Sequence, residues 1–206
     1  MIAIVDYGIG NLGSIANMLK KVGAKCYFAR SIIDIKKAEK IILPGVGHFS
    51  SGMKALQQSK LIPVIEDRIF NDNIPILGIC LGMQLMSDSS EESNEKGLGW
   101  IPGKVKRFSN LYEDISIRVP HMGWNRVEAQ KDSPLINDFE EKSKFYFVHS
   151  YYYECKNQKD VLLTTQYGVE FASAIQKGNI MGAQFHPEKS HKYGMKLMKN
   201  FSGLGN

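Results

Sequence analysis

The sequence predicts an α/β fold: a mostly parallel sheet with helices on both faces, and a smaller antiparallel region in the C-terminal half. Two observations point to it. Short apolar runs alternate with amphipathic stretches over the first 86 residues. From about residue 146 closely spaced strands with tight turns take over.

Taken in order, Ile2–Val5 is an apolar run closing at Asp6, and a glycine-bearing turn occupies residues 7–13. Ser14 is placed to cap a helix carrying Ile15, Met18, Leu19 and Val22 at helical spacing, ended by Gly23. Residues 25–29 read as a second strand and 41–43 as a third, stopped by Pro44. Helical pattern returns over 52–70. Residues 74–79 form a fourth strand running into Cys80 and an amphipathic stretch through Met86. The polar residues 87–97 read as an exposed loop. Strands are then expected over 146–153, 161–165, 171–176 and 180–185, with a hairpin signal at Lys177-Gly178-Asn179, and a closing helix over 191–201.

A length of 206 residues fits one ordinary domain, and the chain is read as a single domain over 1–206. Such a chain buries roughly 70% of its unfolded surface, enough for a core without staples. No run approaches the ~20 apolar residues of a membrane span, and Met1 leads straight into a strand without a basic leader segment. Three scattered cysteines, Cys26, Cys80 and Cys155, with no Cys-x-x-Cys pair, suit a reducing cytoplasm better than a disulfide framework or a zinc site. The formal charge of +5 comes from dispersed lysines without interleaved aromatics, so no nucleic-acid interface is expected.

Gly8-Ile9-Gly10-Asn11-Leu12-Gly13 matches the spacing of a dinucleotide-binding turn. Asp6 and Tyr7 separate it from the strand, and no acidic residue follows the second strand to hold a ribose hydroxyl. Arg30 there would suit a 2′-phosphate, so an NADP-binding protein stands as a distant alternative. Otherwise neither a cofactor nor a metal is expected.

The most informative segment is Gly78-Ile79-Cys80-Leu81-Gly82. A nucleophile between a strand and a helix needs strained backbone angles, and glycines two positions either side remove Cβ clashes. The sulfur is then expected near a helix N-terminus, whose positive end favours thiolate. Among five histidines, only His186 is read as ending a clear strand, and Pro187-Glu188 follows it. Extended residues i and i+2 project to one side, and Pro187 is expected to keep the segment out of helix. Glu188 can then fix the His186 tautomer while His186 shuttles the proton of Cys80. Pro44-Gly45-Val46-Gly47 follows another strand and is placed to offer backbone N–H groups, with that of Leu81, to a developing oxyanion. One such donor is worth about 2.7–4 kcal/mol in the transition state.

Gly78-Ile79-Cys80-Leu81-Gly82-Met83-Gln84 together with His186-Pro187-Glu188 resembles the class I glutamine amidotransferases. Within that family, four further segments resemble the glutaminase subunits of imidazole glycerol phosphate synthases. They are Asp6-Tyr7-Gly8-Ile9-Gly10-Asn11, Pro44-Gly45-Val46-Gly47, Pro120-His121-Met122-Gly123-Trp124-Asn125 and Phe147-Val148-His149-Ser150-Tyr151-Tyr152. The similarity runs from residue 6 to residue 190.

The resemblance implies a three-layer α/β/α fold, L-glutamine as substrate and a heterodimer with a barrel-shaped cyclase subunit. Ammonia would pass to that partner and join a phosphorylated ribulosyl intermediate of histidine biosynthesis, giving imidazole glycerol phosphate and a purine precursor. By position, Gly47, Gln84, Glu92, His149, Ser150 and Tyr151 would line the glutamine pocket. Val46 and Leu81, with Gly47 between them, would surround the oxyanion. Tyr7, Asn11, Met122, Trp124 and Asn125 would face the partner and gate ammonia. Ser190-His191-Lys192-Tyr193-Gly194-Met195 and Trp100 look more like paralogues that supply a surface-sugar amidotransferase. The partner chooses the acceptor, so both acceptors stay open.

Overall fold

The computed structural model describes residues 1–109, 111–112 and 115–205. Along β1 (Ile2–Val5), Ile2 and Ile4 enter one hydrophobic core while Ala3 and Val5 enter another on the opposite face. A strand buried on both faces is apolar at every position instead of alternating. The helix α1 (Leu12–Lys21) sends Ile15, Met18 and Leu19 into the first of these cores. Burying each such side chain contributes roughly 1.5–3 kcal/mol. It begins after Asn11, with no side-chain cap, and not at the expected Ser14. Gly10, at φ +122°, brings the turn close against Pro44, and the chain enters helix directly from there.

β2 (Cys26–Ala29) lies on the outer side of β1. It is followed by α2 (Ile32–Lys36), a helix absent from the sequence reading and opened by a reciprocal capping box between Ser31 and Asp34. β3 (Lys40–Leu43) pairs with the inner side of β1. The stretch expected as one helix over 52–70 is instead α3 (Phe49–Ser59), α4 (Ile62–Glu66) and a π-helical turn over Asp67–Asn71. Lys60 adopts a left-handed φ of 59° that ends α3, and Pro63 lacks the amide a continuous helix would need. β4 (Ile76–Ile79) pairs parallel with β3 and leads into α5 (Leu81–Gln84), one turn long.

Residues 87–97, expected as an exposed loop, form β5 (Ser89–Ser90) and β6 (Ser93–Lys96) at a sheet edge. Ser87 and Ser90 are buried. β7 (Gly103–Arg107) runs beside β5, and its flanking amides are taken up by Asp88 and Glu91 at 3.0 and 2.9 Å. Polarity here serves backbone donors rather than solvent, which is why a hydropathy pattern reads it as loop.

A ribbon of β8 (Leu111–Tyr112) and β9 (Ile115–Ser116) precedes β10 (His121–Arg126) and β11 (Glu128–Ala129). The single strand expected over 146–153 is split at Ser150 into β12 (Lys144–His149) and β13 (Tyr151–Cys155). The halves serve different partners. β12 pairs with β10 in a separate two-stranded sheet, and β13 pairs with β7 in the main one. β14 (Val161–Tyr167), β15 (Val169–Lys177) and β16 (Ile180–Ala183) complete the strands, and α6 (His191–Gly203) closes the chain.

The main sheet runs β2-β1-β3-β4-β16-β15-β13-β7-β5-β6, with β14 on β15 and β11 on β14. β16 is parallel to β4 and antiparallel to β15, so the two halves of the sheet meet at that strand. One core holds Ile35, Phe49, Leu56 and Ile65 from α2–α4. The other holds Leu19 of α1 with Leu197, Met198 and Phe201 of α6. The architecture is therefore three-layer α/β/α, as expected. Among the described residues no helix is long and apolar enough to cross a membrane.

Candidate active site

Cys80 joins β4 to α5 with φ 53° and ψ −109°. Such backbone costs a non-glycine residue about 1–3 kcal/mol and persists only where its surroundings enforce it. Here the Cys80 amide donates to the Ala183 carbonyl at 2.7 Å, and the Cys80 carbonyl accepts from Met83 and Gln84 at 3.0 and 3.2 Å. The flanking glycines are required by packing. A Cβ on Gly78 would stand 2.7 Å from the Gly82 carbonyl, and one on Gly82 would stand 1.9 Å from the Leu43 oxygen. The turn is thus folded on itself and pressed onto the end of β3. One expectation changes: α5 has four residues, too few for a substantial aligned dipole. Side chains surround the sulfur instead.

The first of these is His186. Its Nδ1 lies 2.7 Å from Glu188 Oε1, which leaves Nε2 for the Cys80 sulfur that lines the same cavity. Both side chains of the His186–Glu188 pair are nearly inaccessible, at 4% and 2%. Pro187 begins a 3-10 turn (Pro187–Lys189), not the extended segment the sequence reading expected. The contact survives because a 3-10 turn opened by proline still brings i+2 back over the preceding ring. Ser190 locks the turn, accepting the Tyr146 amide at 3.0 Å and donating to the His186 carbonyl at 2.6 Å. Burial works against a charge on His186. The hydrogen bonds to Cys80 and Glu188, and their negative charges, outweigh it and push the imidazole up to about 10.

Cys80 and His186 open into a cavity of ≈ 460 Å³. Val46, Gly47 and Leu81 line one side of it, and Gln84, Glu92, His149, Ser150 and Tyr151 also contribute to its wall. Pro44-Gly45 is pressed onto the start of α5, where a Cβ on Gly45 would meet the Gly82 nitrogen at 2.7 Å. Gly47 has φ +92°. Glu92 accepts the Phe49 amide at 2.7 Å and stands 4.0 Å from the His48 ring, so the carboxylate is fixed at the start of α3. The cavity therefore combines a nucleophile with its proton partner, backbone-rich loops and one fixed carboxylate. That set suits a small zwitterionic amide.

A pair of histidines, His149 and His121, stands nearby, with His149 in the wall of the same cavity. His149 Nδ1 faces the Tyr151 carbonyl at 2.7 Å and must carry the proton, because a carbonyl only accepts. His149 Nε2 then accepts from His121 Nδ1 at 3.0 Å. His121 Nε2 in turn faces Asn125 Nδ2 at 3.3 Å. Both rings are neutral in this chain. Burial pushes His121 down to about 4. Burial also dominates at His149, against the Tyr151 carbonyl and with the like charges of His121 and His186, and pushes it down to about 3. His149 also ends a strand, contrary to the reading that singled out His186 on that ground.

Of the residues expected at a partner face, Met122 and Trp124 are 62% and 42% exposed. Asn11 is exposed and Asn125 half-buried. Tyr7 is not on the surface: its hydroxyl donates to the Pro44 carbonyl at 2.6 Å, and burial, with the Cys80 charge, raises its pKa strongly. The glycine turn of residues 8–13 packs on Pro44, and Arg30 pairs with Asp6 at 2.6 Å. Trp100 is buried and donates to Glu66 at 3.0 Å, away from the cavity.

Sequence reasoning missed Gln184, which donates to Cys80 Sγ at 3.7 Å, and the cavity residues Pro120, Val148 and Lys189. The signal for Gln184 was a lone amide in the apolar run before His186. Among the described residues no group of His, Cys, Asp and Glu is arranged to hold a metal ion.

A family model described as glutamine amidotransferase class-I matches residues 3–202. The chain is 48% identical over 204 residues to imidazole glycerol phosphate synthase subunit HisH 2 of Pseudomonas aeruginosa, covering 99% of this chain and 100% of that one. It is 51% identical over 203 residues to the HisH 2 subunit of Methanococcus maripaludis, covering 98% of each. Among solved structures, PurLQS of Thermotoga maritima superposes with a TM-score of 0.74 at 19% identity, over 97% of this chain and 96% of that one. A crystal structure of a glutamine amidotransferase gives 0.73 at 17%, over 99% and 100%. At such identities the structural likeness concerns the fold alone.

Proposed function

The chain belongs to the class-I glutamine amidotransferases, and from that premise we propose that it is the glutaminase subunit of an imidazole glycerol phosphate synthase. It acts as one amidotransferase domain over residues 1–206, in the cytoplasm, where Cys80 stays reduced. The observation that carries the reading is Cys80 on a strained turn, lining one cavity with a His186 that Glu188 holds and that Cys80 helps to push up. Near-complete coverage by relatives named as subunits of this synthase supports it.

The chemistry follows from the placement. Cys80 sulfur attacks the carboxamide carbon of L-glutamine as thiolate, its proton residing on His186. The tetrahedral oxyanion is met by backbone N–H groups of Val46 and Leu81, beside Gly47. His186 gives its proton to the departing nitrogen, ammonia leaves and a thioester remains. Water then loses a proton to the now neutral His186 and attacks the thioester; the C–S bond breaks, glutamate is released and the thiolate–imidazolium pair is restored. Glu188 keeps the ring oriented and favours its charged form in both halves. Glu92 suits the substrate α-ammonium, and Gln84, His149, Ser150 and Tyr151 enclose the rest.

Ammonia passes to a barrel-shaped cyclase docked over the exposed Met122 and Trp124, with Asn11, Asn125 and the buried Tyr7 along its path. There it completes imidazole glycerol phosphate and the purine precursor. The test is glutamine hydrolysis by the chain with that cyclase bound: activity present, and lost in Cys80→Ala with partner binding intact. Normal turnover in Cys80→Ala would overturn the reading. Stimulation by a surface-sugar amidotransferase in place of the cyclase would keep the chemistry and move the acceptor.

A further inference from the structure

We propose that Gln184 is a positioning residue for the nucleophile, holding the Cys80 sulfur with an amide whose orientation is dictated from the cavity wall. This rests on the reading of Cys80 as nucleophile and extends it to a residue outside the triad. Gln184 is completely buried and does not line the cavity, so it has no access to glutamine. Its Nε2 donates to Sγ at 3.7 Å. Its Oε1 accepts from Gln84 Nε2 at 3.0 Å, and Gln84 Nε2 also donates to the Tyr151 carbonyl at 3.0 Å.

The direction of every bond in this chain follows from its far end. The Tyr151 carbonyl can only accept, so Gln84 must turn its NH₂ group inward. Gln84 then offers a hydrogen to Gln184, which must present its oxygen there. That leaves the Gln184 NH₂ group facing the sulfur. Reversing Gln184 would set two NH₂ groups against each other in a buried site and aim a carbonyl oxygen at the thiolate. Both faults are removed only in the observed orientation. The same Tyr151 carbonyl fixes the tautomer of His149, so one backbone oxygen at the turn between β12 and β13 sets the polarity on two sides. Gln184 donates to the sulfur directly, and the His186 imidazole beside the same cavity also interacts with it, so both neighbours favour negative charge there.

The experiment labels Cys80 in the full-length chain with iodoacetamide at pH 7 and follows that peptide by mass spectrometry. Gln184→Met keeps the length of the buried side chain while removing the donor. Its Cys80 is expected to label roughly tenfold to a hundredfold more slowly, the range for a lost charge-assisted hydrogen bond. In the cyclase-bound complex kcat for glutamine should fall with KM unchanged. Gln84→Met frees Gln184 to reverse and should slow labelling as well. It also supplies the readout if Gln184→Met does not fold. Labelling at the wild-type rate in either folded variant, or a raised KM with kcat unchanged in Gln184→Met, would overturn the proposal. Labelling needs no glutamine, so its failure is distinct from a failure of the glutaminase reading, which turns on Cys80→Ala.

Discussion

His186 and His149 face the same cavity and are almost equally inaccessible, at 3% and 6% exposure, yet their surroundings shift them in opposite directions. Burial disfavours the imidazolium at both. His186 has a carboxylate at 2.7 Å and a sulfur on its other nitrogen, and rises to about 10. His149 has a carbonyl on one nitrogen and the neutral His121 on the other, and falls to about 3. Burial by itself lowers a ring, and His149 follows it; only the ionic partners of His186 are strong enough to reverse the sign. One ring is prepared to hold and release a proton. The other is a rigid wall.

The contrast can be broken most severely at His186. His186→Ala removes the proton carrier, and kcat for glutamine in the cyclase-bound enzyme should fall on the order of 10⁶-fold. A loss of tenfold or less would show that the ring is not in the reaction. Next is Glu188→Gln, which gives His186 a neutral partner like that of His149. An amide offers the wrong hydrogen to Nδ1 and disturbs the tautomer, so a decline on the order of 10⁴-fold in kcat is expected, with the fold kept.

The converse change adds charge to the neutral pair. Asn125→Asp puts a carboxylate against His121 Nε2, and the His121 titration, followed by NMR, should move up from about 4 by roughly 1–3 units. An unmoved titration would mean that burial alone controls this ring. The smallest effect concerns stability. His149 has its folded pKa below the unfolded 6.5, so its contribution is complete above pH 6.5 and is lost as pH falls towards about 3. At pH 5 the loss is on the order of 2 kcal/mol. Urea midpoints should therefore drop between pH 6.5 and 5, and the slope should flatten in His149→Gln. His186 behaves oppositely, its stabilisation being present below pH 6.5 and lost as pH rises through about 10.

The elbow and its partners were readable because each is a local rule. Glycines two residues either side of Cys80 announce a turn that no side chain could occupy, and the structure's close contacts at Gly78 and Gly82 are the same statement in ångströms. The three-layer sheet was readable because β1, β3 and β4 are apolar at every position or nearly so. Less was readable where polar residues serve the backbone. The strands at residues 89–96 look like solvent-facing loop until β7 is known to lie beside them. Ser150 gives no sign that one strand ends and another begins, since the break depends on which partners wait on each side.

The order of the chain by itself determined where the apolar strands β1, β3 and β4 and the nucleophile turn would form, because those depend on neighbours within a few residues. Tertiary structure decided the rest: that Cys80 and His186 meet across 106 residues of sequence, that His149 is pushed down while His186 is pushed up, and that an amide from Gln184 points its hydrogens at the sulfur. Charge state and hydrogen-bond direction are set by whatever group stands opposite in a space without water, and only folding chooses that group.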